Sequence, residues 1–170
     1  MAAKTKPRCS WCGDDPLYIE YHDKEWGVPL HDDQKLFELL ILEGFQAGLS
    51  WITILRKREN FRAAFHNFDA QRIAKYSQND LDRLAQDPGI VRNKLKIAAS
   101  VANAKAYLAV REEFGSFDKF IWSFAPSAIT PATTKPTTAE SDRMSKELLR
   151  RGLSSWVQPS ATPSCRPVAW

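Results

Sequence analysis

At 170 residues, 44% hydrophobic and 26% charged, the chain has the length and balance of one globular domain able to bury a substantial core. Its 24 Lys and Arg against 20 Asp and Glu leave a net charge of +4, which favours a polyanionic partner without identifying one. No run of 18 apolar residues occurs, and the basic stretch with Lys4, Lys6 and Arg8 is not followed by an apolar segment, so neither a membrane span nor a secretory signal is expected, and a cytoplasmic protein is.

The first chemistry-bearing residues are Cys9, Cys12 and His22. With Cys165 the cysteines are odd in number, which favours metal binding or free thiols over a disulfide framework. Cys9-Ser10-Trp11-Cys12 has the two-residue separation of a zinc knuckle, and His22 follows ten residues later. Three donors fall short of four, so a structural zinc and an idle thiol pair beside a packed histidine both remain open. Six tryptophans exceed the roughly two that ordinary usage would give. Trp11, Tyr18, Tyr21, Trp26 and Trp51 crowd into the first third of the chain, where they are either core or a set of flat surfaces for a ligand.

From His31 to Glu113 apolar residues recur at helical spacing, with no clean period-2 run and no Asn-Gly hairpin, so an all-α fold is expected. A helix is predicted over Asp33 to Gln46, with Asp32 as N-cap and Gly48 beyond its end. Glu43 stands three and four residues after Leu40 and Leu39 and seven after Leu36, on what reads as the apolar face. A carboxylate in that position should be largely buried with a raised pKa, and it is either paired with a core cation or waiting for a ligand.

Ser50 is expected to cap a second helix from Trp51 to about Phe65, whose Arg56-Lys57-Arg58 stripe is either solvated or turned towards phosphate. A short helix from about Asp80 to Gln86 breaks at Asp87-Pro88-Gly89-Ile90, and a longer one resumes near Asn93 with Ile97, Val101, Ala104 and Leu108 on one face. That is a helix-hairpin-helix over about residues 80–110. A Pro-Gly turn of this kind can offer backbone N–H groups and a positive helix end to a phosphate, with Gly89, Arg92 and Lys94 as the DNA-binding candidates, although glycine turns also serve ordinary bundles. Residues 126–138, rich in Pro, Thr and Ala, read as a loop before a last helix from about Ser141 to Arg151, stopped by Gly152.

Arg8-Cys9-Ser10-Trp11, Asp15-Pro16-Leu17-Tyr18, Tyr21-His22-Asp23, Glu25-Trp26-Gly27-Val28-Pro29, Leu42-Glu43-Gly44, Gln46-Ala47-Gly48-Leu49-Ser50-Trp51 and Lys57-Arg58-Glu59 together resemble the 3-methyladenine DNA glycosylase I family, over roughly residues 8–152. The resemblance implies the helix-hairpin-helix glycosylase superfamily and base-excision repair: hydrolysis of the N-glycosidic bond of a flipped-out 3-methyladenine, without a covalent enzyme intermediate. It implies a monomer acting on double-stranded DNA that contains alkylated adenine. Glu43 would recognise the base, Tyr21 and Trp51 would stack on or contact it, and Trp11, Tyr18 and Trp26 would line the pocket. It further implies a structural zinc held by Cys9 and His22 plus a His and a Cys near the C-terminus, which makes Cys12 a weaker ligand candidate. Many relatives in the superfamily carry a catalytic Asp after the hairpin, yet Leu95 to Val110 holds no acidic residue.

The resemblance ends at Gly152. Residues 153–170, with Pro159, Pro163 and Pro167, cannot form the helix the family would place there. Codons exist for this stretch in which a one-base slip restores a family-like continuation, so residues 1–152 are expected to be the glycosylase domain and 153–170 a frameshifted or truncated tail. Zinc would then lack two ligands. The rival readings are a DNA-binding helix-hairpin-helix protein without catalysis and a zinc-dependent hydrolase.

Overall fold

A computed structural model describes residues 8–125 and 139–153. Their regular elements are all helical: α1 (Pro16–Lys24), α2 (Asp33–Gln46), α3 (Trp51–Ala64), α4 (Ala70–Ile73), α5 (Gln78–Gln86), α6 (Lys94–Phe114), α7 (Phe117–Trp122) and α8 (Ala139–Arg150). Short 3-10 turns stand at Ser10–Cys12 and His66–Phe68. The expected all-α class holds, and α2 begins and ends where its caps and periodicity place it. The loop over residues 126–138 and the tail beyond Leu153 lie outside the described residues.

Local chemistry explains most boundaries. The Asp32 side chain accepts from the Lys35 N–H at 2.8 Å to start α2, and the Asn93 side chain accepts from Leu95 and Lys96 to start α6. Ser50 is a correction: it occupies the N-cap of α3, but its hydroxyl is engaged with Thr53 Oγ1 at 2.7 Å and makes no cap to the backbone. At the end of α8, Gly152 takes a φ of +86°, and the Leu153 N–H closes back on the Leu148 carbonyl. Leu153, assigned above to the atypical tail, is fully buried and belongs to the core.

Helix α2 runs through the centre, packed against α3, α6 and α7. Phe37, Leu40, Ile41, Leu42 and Phe45 are all at most 1% exposed, so burial surrounds nearly the whole helix. Each such side chain removed from water contributes roughly 1.5–3 kcal/mol. Leu36, Leu39 and Glu43 form a half-buried stripe, with Gln34 and Lys35 exposed at the start of the helix. The face chosen above by periodicity is thus the edge of the core and not its centre.

The start of α2 is fixed by one residue. Asp33 accepts from the Phe117 and Asp118 N–H groups at the first turn of α7 and pairs with Arg111 of α6 at 3.0 Å, while its carbonyl accepts from Tyr107 Oη. With its start tied to α6 and α7 and its side chains locked in the core, α2 is a rigid carrier for whatever stands in its last turn.

Candidate functional site

The five aromatics predicted to cluster do cluster. Trp11, from the N-terminal 3-10 turn, lies 4.7 Å from Tyr18, 6.4 Å from Tyr21 and 5.4 Å from Trp26 between ring centroids, and Tyr21 reaches Trp51 at 5.6 Å. Apart from Tyr18 and Tyr21, these rings meet at 53–67°. Tyr21 and Trp51 touch, so a flat ligand entering between them must part them. The indole N–H groups of Trp11 and Trp51 are buried without a hydrogen-bond partner. Orphaned donors of this kind are rare in a settled core and mark a place built for something more than packing.

Two of these rings, Tyr18 and Tyr21, stand on α1, an unusual helix. No residue of α1 is fully buried, so apolar packing, chiefly Tyr21 on Trp51, holds it only in part. Its Asp15 N-cap pairs with Arg56 of α3 at 2.6 Å, and Glu25, just past its end, pairs with Arg58 of α3 at 2.7 Å. Two arginines two residues apart therefore strap both ends of the aromatic helix to α3. In the Arg56-Lys57-Arg58 stripe Arg56 is solvated as expected while paired with Asp15, whereas Lys57 and Arg58 are half-buried, Lys57 Nζ donating to the Pro88 and Gly89 carbonyls. Arg56, Arg58 and Glu25 are structural determinants of the site that the sequence reading missed; arginine at i and i+2 beside acidic residues near positions 15 and 25 is the only sequence signal, and it is weak.

Glu43 is the carboxylate beside this cage. It is half-buried, and the surrounding protein strips enough water to push its carboxyl up to about 7, in the direction expected from the sequence. Among the described residues it makes no hydrogen bond or ion pair. Its electrostatic neighbour is Tyr21, whose hydroxyl is raised first by burial and then by the Glu43 charge. The alternative of a structural ion pair is realised by another residue of the same helix. Glu38 is 7% exposed and held by Arg58 at 2.5 Å and Arg62 at 2.8 Å. Glu43 is thus left able to hold a cation or to hydrogen-bond a ligand, between rings whose faces also attract cations.

The connection of residues 87–93 joins α5 to α6 as predicted, and the two helices pack against one another. Its backbone is more satisfied than expected. The Gly89 N–H donates to Asp87 Oδ1 at 2.7 Å, its carbonyl accepts from Lys57 and Asn60, and Asn93 takes the N–H groups of Leu95 and Lys96. Arg92 and Lys94 are exposed and unpaired among the described residues. Leu95, 83% exposed, lies beside them.

Cys9 and His22 are adjacent: the Cys9 backbone N–H donates to His22 Nε2 at 3.3 Å, while His22 Nδ1 faces Asp23 at 3.0 Å. The His22 ring stacks on Trp26 at 5.2 Å. Cys12 turns into the interior and donates to the Cys9 carbonyl. No group of three or more His, Cys, Asp or Glu able to hold a metal occurs among the described residues. The described donors therefore do not complete a four-ligand zinc site.

Residues 11–160 match the methyladenine glycosylase family. The chain is 52% identical over 151 residues to DNA-3-methyladenine glycosylase 1 of Escherichia coli (strain K12), covering 85% of this chain and 81% of that protein. It superposes with a TM-score of 0.83 on a crystal structure of 3-methyladenine DNA glycosylase I, at 49% identity, covering 89% and 87% of the two chains. A structure of 3-methyladenine DNA glycosylase I from Staphylococcus aureus, solved for 3-methyladenine recognition, gives 0.82 at 36% identity and covers 89% and 84%.

Proposed function

The chain belongs to the methyladenine glycosylase family, and we propose that it excises 3-methyladenine from alkylated double-stranded DNA as a monomer in the cytoplasm, opening base-excision repair. The observation that carries this reading is the unpaired carboxyl of Glu43 beside a five-ring aromatic cage. A glycosylase must take its base out of the stack and hold it against flat side chains. Methylation at N3 puts a positive charge on adenine, and a carboxylate without a protein cation favours that base over the neutral one. A bound cation also draws Glu43 towards its ionised form.

The chemistry needs little more from the chain. The bond from the sugar C1′ to the base breaks with its electron pair passing to the base, which leaves neutral; water adds to the oxocarbenium-like carbon and gives up a proton, leaving an abasic site. Exposed Arg92 and Lys94 by the α5–α6 turn, in a helix-hairpin-helix role, would grip the phosphates without reading sequence. The Cys9 sulfur is held in a disulfide, which leaves His22 as the single described member of the expected zinc pair, and the reading assigns no catalytic step to metal.

Release of free 3-methyladenine from alkylated duplex DNA tests the proposal. Glu43→Gln should slow release about 100-fold or more, and a chelator should leave the parent rate unchanged. Equal release by Glu43→Gln would remove Glu43 from the mechanism, DNA binding with no release by the parent would favour a binding module, and abolition by the chelator would favour a metal hydrolase.

A further inference from the structure

We propose that Lys96 is a positioning residue that ties the α5–α6 turn to the base pocket, holding the short loop that sets Glu43 against Trp51. The inference rests on the reading of Glu43 and its rings as the base site. Lys94 and Lys96 share the first turn of α6 and differ in direction: Lys94 is exposed, while Lys96 Nζ turns inward and donates to the carbonyls of Phe45 and Ala47 at 2.9 and 2.5 Å. Helix α2 stops at Gln46, and Ala47 leaves helical geometry at φ −48°, ψ 117°, so the last carbonyls of α2 lack helical partners. The ammonium supplies those partners and places a cation at the negative end of the helix dipole.

The loop it grips is short. Four residues, 47–50, separate the helix of Glu43 from the helix that begins with Trp51. Within it Gly48 has a φ of +82°, the Leu49 N–H closes on the Gln46 carbonyl at 2.7 Å, and Gln46 Nε2 returns to the Leu49 carbonyl. Gly48, Leu49 and Ser50 are exposed, so packing does little to fix them. Lys96 is the tie that reaches the loop from α6. Burial disfavours its charge and no carboxylate pairs with it among the described residues, which is a cost that a lysine serving only as a surface cation would avoid. Because Asn93 stiffens the same turn, the exposed Arg92 and Lys94 and the inward Lys96 form one rigid unit between the DNA side and the pocket.

The test compares single-turnover excision at saturating alkylated DNA with affinity for that DNA. Lys96→Met should slow excision about 10- to 100-fold, since displacements of about 1 Å in a site have that effect, with DNA affinity within about 3-fold of the parent. Free 3-methyladenine, followed by tryptophan fluorescence, should bind Lys96→Met more weakly, and Lys96→Arg should recover most of both. The double variant Arg92→Ala/Lys94→Ala gives the pattern of a weakened phosphate grip: poorer DNA binding and a shallower salt dependence. Lys96→Met showing that pattern with its saturating rate intact, or no change in either, would overturn the proposal. If Lys96→Met gives no cooperative melt, Lys96→Gln takes its place, expected between Met and Arg, and parental excision by Lys96→Gln overturns the proposal equally. Glu43→Gln assayed alongside separates the two readings: full excision by that variant refutes the base site, whatever Lys96 does.

Discussion

Glu38 and Glu43 lie five residues apart on α2, and their surroundings give them opposite characters. Glu38 stands between Arg58 and Arg62 inside the protein, whereas Glu43 has lost water without gaining a cation. Truncating the paired residue strands buried charge, so Glu38→Ala should cost about 3 kcal/mol in denaturant unfolding at pH 7, near the low end for buried pairs because Arg58 keeps Glu25. Glu43 should behave in reverse. Its folded-state carboxyl sits near 7, above the ordinary glutamate range, so the fold favours the neutral form and loses stability as the group ionises. Glu43→Gln should therefore match the parent below about pH 4.5, gain on it as the pH rises, and be more stable by about 1–3 kcal/mol at pH 8, a difference that unfolding curves across that range would measure. A flat difference would mean that Glu43 is not desolvated in the fold. Sequence periodicity picked out Glu43, but it could not say which glutamate of α2 would meet the arginines, because those come from α3.

Among the elements, α1 and the α5–α6 turn show how a site can be held without a core of its own. Straps from Arg56 and Arg58 pin α1, and its Tyr21 ring packs on Trp51 of α3. The sequence carried its start clearly, with Asp15 before Pro16, but no apolar stripe, so a helix over 16–24 was not legible by periodicity. The turn was legible, since Pro88-Gly89 breaks any helix. Its glycine answers to space: a Cβ on Gly89 would stand 2.9 Å from Asp87 Oδ1 and 3.2 Å from Asn60 Cβ. Gly89→Ala should thus lower stability by about 1–3 kcal/mol and weaken binding to undamaged duplex by displacing Arg92 and Lys94. Thermal melts and duplex titration together check this, and a variant with parental values in both would show that the turn yields freely.

For the whole molecule, a net charge of +4 is a weak pointer to DNA because much of the positive charge is spent internally. Arg56, Arg58, Arg62, Arg111 and Arg151 all pair with carboxylates. Arg92 and Lys94 are among the exposed cations outside any described ion pair, with Lys35, Arg72, Lys75 and Lys105 elsewhere on the surface, and they are the two that stand beside the α5–α6 turn. Duplex affinity should fall linearly in log–log plots against salt, and Arg92→Ala/Lys94→Ala should make the slope shallower by about 2, since each phosphate no longer neutralised removes about 0.9. An unchanged slope would place the phosphate grip elsewhere.

The sequence by itself determined the helical class, the bounds of α2 and the turn before α6, because caps, breakers and periodicity act over a few neighbouring positions. Glu43 and its aromatics were assigned to a pocket by a family resemblance, with periodicity leaving the role of that carboxylate open. The tertiary structure decided what those residues do to one another. It assigned the arginine pair to Glu38 and left Glu43 alone, gave Arg56, Lys57 and Arg58 partners that make them struts, brought Tyr21 against Trp51, and sent Lys96 inward while Lys94 stayed out. Each of these outcomes depends on the relative placement of two helices distant in the chain, and a charge or a ring carries no local mark of the partner it will meet.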